Sequence, residues 1–129
     1  MGQPLIGPVL VRGLPAPFAT AREVEWKETV AEQIESVWLG RPHIESPCEV
    51  SLVFRLPPNK AEVTDLDNLL KPAIDAIGSV LFKPARMGHQ VRWNADDHWI
   101  YRFIAEKKSE SDAAKIGMEV TVWEYQARE

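Results

Sequence analysis

The chain has a single cysteine, Cys48, in 129 residues, so no intrachain disulfide can staple it. Its fold must rest on a buried core, which a chain of this length can form. So little thiol also fits a reducing compartment. No apolar run approaches the ~20 residues that a membrane-spanning helix needs. The opening stretch MGQPLIGPVLVRGLP carries one arginine and reads as neither a signal peptide nor a membrane span. The cytoplasm is the expected location. Internal repeats, low-complexity tracts and linkers are also missing, so one domain over residues 1–129 is expected. Basic residues are not in excess. The formal net charge is -4, which taken alone argues against a nucleic-acid partner.

The charge that is present is unevenly placed. Residues 55–108 carry nine Lys/Arg against seven Asp/Glu, while the segments on either side are both net negative. Any acid in the middle segment that holds a cation would make that segment more positive still.

Periodicity supplies the architecture. GPVLVRGLPAP reads as a short strand that ends in a proline-rich turn. From Arg22 to about Trp38, Trp26, Val30, Ile34 and Val37 recur at helical spacing, with Thr20 as a candidate cap and Gly40 and Pro42 as stops. PCEVSLVFRLPP alternates as a strand, with Val50, Leu52, Phe54 and Leu56 on one face. A second helix follows, with Leu66, Leu70, Ala73, Ile74, Ile77 and Leu81 as its apolar stripe. Pro72 lies too deep for a helix capped at Asp67, which predicts irregular geometry in the first turn. FKPARMGHQVRWNA reads as a loop, DDHWIYRFIAEKK as a strand, and IGMEVTVWEYQ as a last strand with Met118, Val120 and Val122 inward. The order β-α-β-α-β-β predicts an α+β domain of two layers, a mixed sheet with two packed helices.

The chemistry concentrates at VTDLDNLLKPAID, residues 63–75. Asp65 and Asp67 diverge by about 200° if both are helical, but converge if Asp65 still belongs to the preceding loop. Lys71 stands one turn above Asp67, and Asp75 one turn above Lys71. A second acidic pair, Asp96 and Asp97, opens the third strand. From spacing alone two readings stand. One is a helix cap with a surface ion pair. The other is a nest of carboxylates for Mg²⁺, a cation that prefers oxygen ligands and shares them with substrate phosphate. On that second reading Lys71 neutralises charge on the phosphate or positions water.

DLDNLLKPAIDAIGSVLF followed by NADDHWI resembles the signature of the RusA family of Holliday-junction resolvases. The family pattern is Asp-x-Asp-Asn, a lysine on the same helix, an aromatic at the helix end, then Asp-Asp before a strand. Here Asp65, Asp67, Asn68, Lys71, Phe82, Asp96 and Asp97 supply it in order. The first strand with its LPAP turn, the first helix and the final strand also fall where the family has equivalents. The resemblance implies a homodimeric endodeoxyribonuclease that uses Mg²⁺, with Mn²⁺ as an alternative, on four-way junctions. It implies Asp65, Asp67 and Asp97 as metal-binding catalytic acids, Asp96 as a supporting metal ligand, and Lys71 as the catalytic lysine. The rival activities are cleavage of other branched DNA, and a RusA-like fold that binds DNA or protein without cutting.

Lys83, Arg86 and Arg92, in the loop beside the site, are the first candidates for phosphate contact, followed by Arg55 and Lys60. Trp93 suits either stacking on an exposed base or packing the loop. His98 is a candidate ligand, but on a strand it would point away from its neighbour Asp97. Cys48 reads as a small packing residue. A junction has approximate two-fold symmetry, which an isologous dimer could match.

Overall fold

The structure is a computed structural model and describes residues 3–84, 93 and 97–127. Among the described residues, seven strands and α-helices follow one another: β1 (Ile6–Arg12), α1 (Glu23–Trp38), β2 (Cys48–Leu56), α2 (Pro58–Ala61), α3 (Leu66–Leu81), β3 (Ile100–Ser109) and β4 (Gly117–Glu124). The strands form one sheet in the order β1-β4-β2-β3. β4 pairs antiparallel with both β1 and β2, while β2 and β3 run parallel. This is the expected α+β domain with a mixed sheet. The parallel pair needs a crossover, and α3 supplies it.

One face of the sheet carries the core. Val50, Leu52, Phe54 and Leu56 of β2 and Met118, Val120 and Val122 of β4 are all buried, as their alternation predicts. They meet Trp26, Val30 and Ile34 of α1 and Leu69, Ala73, Ile77 and Leu81 of α3 in a single cluster. Both helices therefore lie on the same face and also pack against each other.

Several local expectations are corrected. Thr20 does not cap α1; its hydroxyl donates to the Pro17 carbonyl, and the cap position falls to Arg22, which makes no side-chain cap bond. The α1 stripe continues by a step of four to buried Trp38, which leaves Val37 exposed. In α3 the fully buried row runs through Leu69, Ala73, Ala76 and Ile77, which leaves Leu66 and Leu70 partly buried at its edge. Pro57 and Pro58 end β2, but Pro58 also opens the short helix α2, where its missing N–H costs nothing. The third strand starts at Ile100; Asp97–Trp99 form a 3₁₀ turn before it.

The register fixes which ends of the elements meet. Cys48 pairs with Ile100 and Leu56 with Ser109. The Thr64 carbonyl, just before α3, accepts from Lys107 Nζ at 2.6 Å, near the far end of β3. The Leu81 carbonyl at the end of α3 accepts from the Ile44 N–H at 2.8 Å, near the start of β2. So α3 runs back along the strands, its N-terminus beside the end of β3 and its C-terminus toward the beginning.

Candidate active site

α3 starts in a way that frees both acids. Asp65 occupies the cap position with extended backbone (φ -75, ψ 134), and its carboxylate makes no cap bond. Asp67 is the second helical residue. The two acids therefore sit on different backbone conformations, as convergence requires. Both are exposed, and neither has a hydrogen-bond or ion-pair partner among the described residues. A carboxylate used only as a cap would bond to an N–H of the first turn. Here those N–H groups are left to solvent or to an incoming anion.

Pro72 lies well inside α3, and the helix runs unbroken past it, contrary to the irregular first turn expected from sequence. A proline lacks the N–H that would bond four residues back, so the Asn68 carbonyl loses its helical partner. The structure supplies a substitute. The Phe18 N–H donates to the Asn68 carbonyl at 2.8 Å. The proline-rich turn after β1 is thereby pinned to the first turns of α3, beside Asp67. A buried backbone acceptor needs such a partner.

Lys71 and Asp75 pair as their spacing predicts, Nζ to Oδ1 at 2.8 Å. The lysine is 61% exposed and the aspartate 11%. Asp75 is thus a fixed anchor, and it holds a cation at the surface one turn from Asp67.

Asp97 is exposed and lies at the other end of the crossover. Ile100 and Lys107 are separated by about 23 Å along β3 at the usual strand rise. Asp97 adjoins the Ile100 end and Asp65 the Lys107 end. No group of three or more His, Cys, Asp or Glu side chains comes together to hold a metal among the described residues. Asp96 lies outside them. Asp65 and Asp67 suit Mg²⁺ by donor type, all oxygen and unpaired, and the chain does not bring Asp97 to them. His98 stacks on Trp99 with ring centroids 4.5 Å apart. It belongs to the 3₁₀ turn rather than to a strand.

The expected phosphate contacts divide. Arg55 is committed inward, to Glu119 at 2.9 Å and Glu110 at 3.5 Å. Lys83 pairs with Glu45 at 2.9 Å on an exposed surface, where exchange for phosphate costs little. Lys60 is exposed on α2, and its ammonium has no partner among the described residues. Arg86 and Arg92 lie outside the described residues. Trp93 packs on the core, with Lys27 Nζ 5.0 Å from its ring centre, which favours its packing role. Cys48 is buried at the start of β2, and burial pushes its thiol up to about 11, so it packs and does not attack.

Sequence reasoning missed two contributors, Phe18 and Lys107, which fix the segments flanking Asp65 through backbone acceptors. Pro72 was the only legible trace of the first, because it announces an orphaned carbonyl four residues back.

No curated protein matches the chain. A family model described as Endodeoxyribonuclease RusA matches residues 16–122. That span runs from the turn pinned by Asn68 through α1, α2 and α3 and into β4, and the chain belongs to the RusA family of endodeoxyribonucleases.

Proposed function

We propose that the chain is a Mg²⁺-dependent endodeoxyribonuclease that nicks four-way DNA junctions as a homodimer, in recombination and repair. Family membership supports the junction substrate. The observation that carries the catalytic reading is the start of α3, where two exposed, uncapped carboxylates flank unbonded N–H groups and Lys71 stands one turn away. The separation of Asp97 from that pair supports a site shared between subunits. Asp65 and Asp67 of one protomer would then meet Asp97 of the partner subunit, with Asp96 as the supporting acid.

A divalent cation held there would polarise the phosphoryl group and activate water. The chain's own residues have simpler tasks. Asp65 and Asp67 provide oxygen ligands. The open N-terminus of α3 receives a phosphate oxygen. Lys71 leaves or keeps Asp75 according to the charge on the phosphate, and acts most strongly where that charge is greatest. Lys60 and Lys83 hold flanking phosphates.

The test is Mg²⁺-dependent nicking of a synthetic four-way junction, with Asp67→Asn as control. Nicking that survives in Asp67→Asn at the wild-type rate would remove the metal-site assignment. The lack of a third donor within one chain, among the described residues, favours one rival: a RusA-like fold that grips branched DNA without cutting. A strictly monomeric chain that binds junctions and leaves them intact would establish it.

A further inference from the structure

Beside Asp65 lies a cleft that the proposed chemistry does not use. It has a volume of about 290 Å³ and is walled by Leu14, Pro17, Leu56 and Val63. Arg22 and Lys60 add exposed cations to its lining. Thr64, the residue before Asp65, also lines it. One wall is the turn after β1 and the other is the connection from α2 to α3.

We propose that this cleft receives one unstacked base of the DNA, next to the phosphate held at Asp65. The proposal rests on the endonuclease reading and adds where the strand lies. The size is at the low end for ligand pockets, which run from about 300 to 1,000 Å³, and suits a single flat ring system rather than a peptide. The walls are apolar and include prolines, which pack well against the face of a base. The cations at the edge complement the phosphates that a splayed nucleotide carries with it.

The wall is also formed in advance. Thr20 Oγ1 donates to the Pro17 carbonyl at 2.8 Å, and Arg22 Nη2 donates to the Leu14 carbonyl at 2.9 Å. The Phe18 N–H holds the same turn to α3 at 2.8 Å. A base that enters orders little further chain, which lowers the cost of binding. A larger cavity, about 1010 Å³ and lined by α1 and α3, carries three glutamates, Glu28, Glu32 and Glu35, against the single cation Arg41, and suits the same ligand less well.

The experiment uses junctions that carry a single 2-aminopurine, moved one position at a time around the branch point. They are bound in Ca²⁺, so that fluorescence is read whether or not the protein cuts. The cleft walls contain no aromatic ring to quench the probe. The wild-type protein should brighten the probe at one position. An abasic residue at that position should slow Mg²⁺-dependent nicking on the order of tenfold. Ala21→Leu fills the cleft from an exposed position of its lining. It should bind junctions, keep the wild-type melting behaviour, and lose the brightening. Val63→Asp, at a residue 75% exposed, should lose it too by setting a charge against the base. If no position brightens with the wild type, or if both variants keep its response, the cleft does not hold a base. Loss of nicking with the fluorescence response intact would instead remove the endonuclease reading and leave the cleft standing.

Discussion

A site shared between subunits makes a quantitative prediction that a site within one chain cannot imitate. Let Asp67→Asn and Asp97→Asn subunits be prepared separately. Each homodimer has both sites broken, and each should nick junctions at a rate orders of magnitude below wild type. Now let equal amounts exchange subunits. In the mixed dimer one site gathers both lesions and the other gathers none. Random exchange makes about half of the dimers mixed, so about a quarter of the wild-type number of intact sites should return. The structural basis is the span of about 23 Å along β3 between Ile100 and Lys107, with Asp97 at one end and Asp65 at the other. A labelled junction in Mg²⁺ gives the assay, read as single nicks, because a mixed dimer has one working site and cannot make paired cuts. If the acids closed a site within one chain, every site in the mixture would still carry a lesion. Nicking that stays at the homodimer background after verified exchange would refute the shared site.

The remaining predictions are smaller in scope. Lys71→Ala should lower turnover much more than junction affinity, as steady-state kinetics and binding will separate, and losing a pair whose lysine is exposed should cost about 1 kcal/mol of stability. Arg102→Ala should cost about 3 kcal/mol in urea unfolding, because it strands Glu49, whose side chain is 5% exposed and bonded to Arg102 at 2.8 Å. Burial pushes the Cys48 thiol up from its ordinary value of 9.0 to about 11. Its contribution to stability is therefore full below pH 9 and lost as pH rises toward 11, and Cys48→Ala should flatten the stability curve in that window.

The fold was legible because each long element announces its period. Val50, Leu52, Phe54 and Leu56 alternate without interruption, and a strand so marked on one face needs a helical layer on it. What misled were residues whose local rules have two outcomes. Pro72 predicts a bent first turn when the helix is taken to start at Asp67. The actual cap at Asp65 places Pro72 deep in α3, where the Phe18 N–H compensates the lost bond. That repair comes from a residue fifty positions earlier, and no local rule contains it. The same holds for Thr64, whose position depends on a lysine from β3.

The site was legible in a different sense. Spacing put Asp65, Asp67, Lys71 and Asp75 at a helix start, and the structure keeps them there, with Lys71 and Asp75 paired. Spacing put Asp97 at the opening of the third strand, and the structure sets it in the 3₁₀ turn just before that strand. What no linear pattern specifies is the chain to which each acid presents itself. A crossover helix must return to the beginning of the next parallel strand, so residues at its start and residues just before that strand lie at opposite ends of the layer. A motif that names both positions as parts of one site therefore conflicts with the geometry of a single β-α-β unit. The proposed two-fold pairing would resolve the conflict, because a second copy in reverse orientation could set its Asp97 beside Asp65 and Asp67 of the first. The same operation would build the second site, one for each of two symmetric strands of a junction.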